Sequence, residues 1–253
     1  MSYFKKYPVV NYRFGDNEPS ALFSNISAYV DIIDEIKNEV AFFEKYTIQD
    51  GDRPDIVSQK LYGTPDYHWT FWAMNHKLRE SGWPMPEHEL RALLKKRYPH
   101  RTVTTETSFA AKAFKPGAFV TGKVSGTTGT VIERNLDLGQ ITIRASRNAQ
   151  GLQNNFGSSE QIVAGTTAEE QNANIIVAIK ESAQFDAALY YKNSSGTIVD
   201  IDPADQTTST AGLTPVTLLE DNVTYNDNLK NIVVIKPSSV KSVVNEYFKQ
   251  LAV

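Results

Sequence analysis

Four histidines, His68, His76, His88 and His100, are the side chains here best suited by type to bind a metal or act as a general base. A helical zinc site needs ligands on one face, as in an HExxH pair. His68 and His76 are eight apart and no HExxH occurs, so a zinc site is not expected and the histidines read as packing or solvated positions. Asp50, Asp52 and Asp55 open like a calcium loop. The sixth place, however, is Asp55 where the loop needs glycine, and the twelfth is Leu61 where it needs a bidentate glutamate. Helix capping explains these aspartates better. Asp200, Asp202 and Asp205 fail the same test at Asp205 and Ala211. The turn Ser125 to Thr130, SGTTGT, lacks the Lys-Ser/Thr of a phosphate loop and reads as a β-turn. No GxSxG is present, and no carboxylate pair is singled out for glycoside hydrolysis. The expectation is a chain with no catalytic residues, no metal and no cofactor.

Composition narrows the class of partner. With 253 residues, 41% hydrophobic and 22% charged, the chain has enough apolar material for one large domain or two to three small ones. Its net charge of −3 is spread over both halves, so no basic field exists to hold phosphates and nucleic-acid binding is not expected. Cysteine is absent, which removes disulfides and thiolate chemistry. The opening MSYFKKYPVVNYRFGD carries no apolar run of the kind a secretory leader needs, and no stretch reaches the roughly 18 to 20 apolar residues of a membrane span.

Four regions would have to position any site. Residues 1–45 read as an extended aromatic arm, with Tyr3, Phe4, Tyr7, Val9, Tyr12 and Phe14, followed by a long amphipathic helix from about Ser24 to Lys45. Residues 46–98 read as a strand (Tyr46 to Ile48), a helix capped by Asp52, started by Pro54 and stopped at Tyr62-Gly63, and a second helix capped by Asp66. On that second helix Trp69, Trp72, Ala73 and His76 would share one face. Another helix runs from Pro86 to Arg97, with Leu90, Leu93 and Leu94 inward. Residues 105–170 change period to two, with Phe119 to Thr121, Thr130 to Ile132 and Gln140 to Arg144 between glycine turns. Residues 171–253 give further strands and a closing helix with Val240, Val243, Val244, Tyr247, Phe248 and Leu251 in register.

The stretch YTIQDGDRPDIVSQKLYGTPDYHWTFWAMN (46–75) resembles the LysM module through Tyr46, Gly51-Asp52, Leu61-Tyr62-Gly63, Trp69 and Asn75. It departs from it at Arg53-Pro54 and in HKLRESGWPMP after Asn75. Those departures, with Gly82-Trp83, are similar to the LysM-like segment of the gene-53-type baseplate wedge protein of contractile-tailed, T-even-like bacteriophages. Asn228 to Ala252, NLKNIVVIKPSSVKSVVNEYFKQLA, resembles the terminal pattern of the same family. The likeness covers roughly residues 1–98 and 185–253, and the middle has no clear counterpart. The fold class expected is α+β: a helical, LysM-like N-terminal part, a small β-barrel or sandwich in the middle, and a C-terminal strand-plus-helix segment.

The resemblance implies a structural subunit of a viral tail baseplate, assembled in the host cytoplasm and carried in the virion, that clamps neighbouring wedge proteins. Its implied partners are the lysozyme-like sheath-initiating subunit and the helical wedge-core subunits. Asp52, Arg53, Pro54, Tyr62, Gly63 and Trp83 are then the expected protein interface, and Trp69, Trp72 and Asn75 the structural core. Arg53, Pro54 and Trp83 put a cation, a rigid ring and an apolar ridge where a sugar groove would need small polar groups, which favours protein contact. The alternative is a carbohydrate-binding LysM protein that recognises peptidoglycan or chitin, and a weaker one is a cell-wall hydrolase with a LysM targeting module.

Overall fold

A computed structural model describes residues 7–15, 19–25, 42–105, 114–146 and 155–251. Strands β1 (Val9–Tyr12), β2 (Ala21–Ser24) and β3 (Phe43–Thr47) come first, followed by helices α1 (Pro54–Tyr62), α2 (Thr70–Met74), α3 (His76–Ser81) and α4 (Glu87–Arg97). Strands β4 (Arg101–Thr105), β5 (Phe119–Gly122), β6 (Thr128–Asn135), β7 (Gln140–Ala145) and β8 (Gln161–Ala164) lead to α5 (Ala168–Ala173). Next are β9 (Ile175–Ala183), β10 (Ala188–Lys192), β11 (Ile198–Val199) and α6 (Gln206–Ser209). The last elements are β12 (Thr214–Thr217), α7 (Leu218–Lys230), β13 (Asn231–Ile235) and α8 (Val240–Leu251). These elements gather into two compact units, Met1–Glu87 with Tyr225–Val253, and His88–Thr224 inserted between those two pieces.

The first unit is closed by strands distant in sequence. β3 pairs antiparallel with β13, Thr47 opposite Asn231 and Phe43 opposite Ile235. One face of this ribbon meets α1 to α3, where Ile48, Val57, Phe71, Leu78, Leu229, Ile232 and Val234 form a buried cluster. Each such side chain contributes about 1.5–3 kcal/mol relative to staying in water. A second cluster joins Met74 and Ile235 to Val240, Val244 and Tyr247, residues that recur every three or four positions on α8. Pro54 starts α1, where its missing N–H costs nothing, and Gly63 ends it at φ 71°, a conformation that side-chain-bearing residues rarely adopt.

The second unit is built on a closed six-stranded antiparallel barrel, ordered β4-β7-β6-β5-β8-β9. Alternation directs Val103, Val120, Val131, Ile141, Ile143, Ile162 and Ile176 into one core with Phe114 and Phe156. Closure leaves the barrel without a free edge. A bulge between Val131 and Glu133 adds a residue to β6, so that Glu133 lies opposite Thr142 and not opposite the buried Ile141. Glu160, itself buried, stitches two loops at the barrel rim. Its carboxylate accepts the N–H groups of Val124 (2.8 Å), Ser125 (2.5 Å) and Gly157 (2.5 Å). Burial alone would raise the pKa of this carboxyl, but those backbone donors outweigh it and hold the group below its ordinary value. Outside the barrel, β10 pairs with β11 and β12 in a small sheet.

The expected helical, LysM-like N-terminal part is not seen: the first described elements are strands. Val9 to Tyr12 and Ala21 to Ser24 pair as β1 and β2, so Val9 to Tyr12 of the expected extended arm is one half of an antiparallel ribbon, while Tyr3 and Phe4 lie outside the described residues. The long helix expected from Ser24 to Lys45 meets strand at both ends, since Ser24 closes β2 and Phe43 opens β3, and residues 26–41 between them lie outside the described residues. Local periodicity misleads here because the partner that makes Phe43–Thr47 a strand is far away in sequence.

Candidate protein-binding site

Of the residues expected to form an interface, Arg53 lies open to solvent, its guanidinium 3.0 Å from the Asp55 carboxylate. It occupies the N-cap position of α1 without a side-chain cap. Asp52 does not cap that helix. Its carboxylate instead takes Lys60 at 2.6 Å, while its carbonyl accepts the Trp83 indole N–H at 2.7 Å. Trp83 is half-buried, and its ring lies 5.4 Å from Trp72 and 5.8 Å from Phe71. Trp83 therefore holds the loop before α1 against the core, and Pro54 and Gly63 bound the helix between them. Tyr62 donates its hydroxyl to the Ile235 carbonyl at 2.9 Å, and burial pushes this phenol well above its ordinary pKa. Five of the six positions thus serve internal contacts or helix ends, and Arg53 is the one with a fully presented side chain.

Trp69 and Trp72 do not share a single helix face. Trp69 is the residue before α2, and the backbone breaks at Asn75 (φ −123°, ψ 101°) before α3. Trp69 packs at 5.0 Å on Tyr247 and 5.7 Å on Phe248 of α8, whereas Trp72 joins the Phe71 cluster. Asn75 is buried and ties α2 to β13: Nδ2 donates to Phe71 O and Val233 O, and Oδ1 accepts Val233 N–H, all at 2.8 Å. Asp66 does not cap a helix either; Thr64 caps the short turn Pro65–Tyr67, accepting the Asp66 N–H at 3.3 Å.

The aspartates that resembled a calcium loop point to different cations. Asp50 meets Lys230 at 3.2 Å, Asp52 meets Lys60 and Asp55 meets Arg53. Among the described residues no three His, Asp or Glu side chains gather as metal ligands.

The most exposed apolar surface lies elsewhere in this unit, on the β1–β2 ribbon. Val10, Tyr12 and Phe23 share one face, and Phe14 stacks edge-on to both Tyr12 (5.1 Å) and Phe23 (5.4 Å). Val9 and Leu22 occupy the other face. Phe14 is 73% exposed and Leu22 74%, values that isolated core material would not show. The ribbon pairs with no third strand among the described residues. It is anchored at its base by the Asn25 N–H to Pro8 O bond (2.7 Å) and the buried Tyr7. Aromatics at Tyr12 and Phe14 were legible in the sequence; Leu22 and Phe23 were missed, although two apolar runs flanking the polar Asp16-Asn17-Glu18-Pro19 are a hairpin signal.

A two-stranded ribbon with apolar residues on both faces is marginal in water by itself and suits burial against another surface. No protein-family model matches the sequence, and no curated protein is significantly similar to it.

Proposed function

We propose that this chain is a structural subunit of a contractile-tail baseplate wedge, working through protein contacts and not through catalysis. The exposed apolar ribbon Val9–Tyr12 with Ala21–Ser24 carries the reading, because such a surface is what a subunit keeps free for a neighbour. The resemblance of Arg53-Pro54, Tyr62-Gly63, Asn75 and Gly82-Trp83 to the wedge family supports it, and all of them lie in the unit that carries the ribbon. The proposed partners are the lysozyme-like sheath-initiating subunit and the helical wedge-core subunits, and the proposed location is the virion baseplate.

Mixing the purified chain with those wedge proteins and following complex formation by size exclusion tests the proposal. Phe14→Ser with Leu22→Ser should abolish co-elution while leaving the melting temperature near that of the wild type. Unchanged co-elution would remove the ribbon from the interface, and retention of the wild type on insoluble peptidoglycan with no protein complex would overturn the structural reading.

A further inference from the structure

The second unit carries a cleft of about 360 Å³, a size that suits a small ligand. One wall is the outer face of the barrel, where Thr104 of β4 lies opposite Lys180 of β9 and Ser182 follows on the same face of that strand. Another is the small sheet, with Tyr191 of β10 paired to Pro215 of β12. Gln206, at the start of α6, supplies a third.

Gln206 is only 5% exposed. Its Nε2 donates to the Leu138 carbonyl at 2.8 Å, and since that carbonyl needs an N–H, the orientation of the amide is fixed. Oε1 is left with no hydrogen bond among the described residues. It is not sealed away as Gln184 Oε1 is, so it opens on the cleft that the residue lines. The hydroxyls of Thr104, Ser182 and Tyr191, all half-buried, likewise make no hydrogen bond among the described residues. Burial holds the Tyr191 phenol above its ordinary pKa, so it stays a donor at neutral pH.

Charge is kept to the rim. Lys180 and Asp186 are exposed, opposite in sign, and neither forms an ion pair among the described residues. The half-buried walls are therefore neutral and offer an entering ion no counter-charge, which makes burying one costly. Ala188 and Pro215 add apolar surface between the polar groups.

We propose that this cleft binds a neutral saccharide. Sugar hydroxyls donate and accept in turn, which answers both the fixed acceptor of Gln206 and the rotatable hydroxyls around it, while the C–H face of a sugar ring suits the tyrosine ring and the proline. The site draws on residues of the second unit alone, so it stands or falls independently of the wedge reading.

The test titrates the full chain with maltose and N,N′-diacetylchitobiose, read by saturation-transfer NMR, with citrate as a charged control. Saturable transfer to at least one disaccharide is expected, and none to citrate. Gln206→Met removes the acceptor and should weaken binding about tenfold. Because Gln206 also holds Leu138, Ser182→Leu is the second variant: it narrows the cleft without removing a hydrogen bond among the described residues, and should weaken binding at least as much with a melting temperature near that of the wild type. Loss in these variants separates the cleft from any sugar binding by the LysM-like residues. Absence of saturable transfer to both disaccharides, undiminished binding by folded Ser182→Leu, or an equal response to citrate would overturn the assignment.

Discussion

Asn75 and Val233, 158 residues apart, hold each other by a reciprocal pair of hydrogen bonds, Asn75 Nδ2 to Val233 O and Val233 N–H to Asn75 Oδ1, both 2.8 Å. A buried asparagine thus acts as an extra strand residue, pairing with β13 on the side opposite β3. Asn75→Ala would leave the Val233 N–H and carbonyl unsatisfied in a buried setting and should cost about 2–4 kcal/mol. Asn75→Asp should cost at least as much, because a carboxylate has no proton for the Phe71 and Val233 carbonyls. Chemical denaturation of both variants checks this, and loss below a few tenths of a kcal/mol would contradict it.

Glu160 should give the second unit an acid-sensitive step. Its folded pKa is depressed, so its contribution is present above the unfolded carboxyl value and is lost as pH falls through the lower, folded value. Melting temperature should therefore drop more steeply below pH 4.5, the ordinary carboxyl value, in the wild type than in Glu160→Gln. Parallel pH profiles would refute the assignment.

Gly129 is needed for space, not for its backbone angle. A Cβ there would lie 2.5 Å from Ile143 Cγ2 and 2.8 Å from the Arg144 carbonyl, across the β6–β7 pairing. Gly129→Ala should destabilise the barrel by about 1–3 kcal/mol through overpacking. Thermal melts would register it.

Trp69 links the loop before α2 to the closing helix through Tyr247 and Phe248. Trp69→Ala should cost about 2–4 kcal/mol and make α8 the first segment cleaved in limited proteolysis. Cleavage elsewhere first, with α8 intact, would argue against that coupling.

Met85 and Asn226 are bridged by two hydrogen bonds, 2.8 and 2.9 Å, across the point where residues 88–224 are inserted. Replacing that insert by a short Gly-Ser linker should leave the first unit folded, with a cooperative melt and the fluorescence of its half-buried tryptophans. A linear, non-cooperative melt would mean that the insert is required.

Elements with a local cause were legible in the sequence. Gln140 to Arg144 alternates because one face meets the barrel core, and Gly63 stops α1 because the left-handed turn tolerates it. Elements whose cause is distant were not. Arg101–Thr105, in a threonine-rich run that reads as a boundary, becomes β4 because β7 and β9 flank it, both beyond any local window. Asp52 reads as a helix cap, but Lys60 two turns along α1 captures its carboxylate. The placement of Glu133 opposite Thr142 had no signal in the sequence, since it depends on a one-residue bulge in β6 that local composition does not encode.

The pairing of β3 with β13 separates Thr47 from Asn231 by 184 positions. A ribosome adding about 5–20 residues per second needs roughly 10–40 s to cover that distance. Throughout that interval β3 has an unpaired edge, and Ile48, Val57 and Phe71 lack the strand that seals them, while the barrel already has all its strands by Ala183. The inserted unit is thus the first part able to reach its native state on the nascent chain. Nascent β3 is the segment a holdase would be expected to shield until Ile235 emerges.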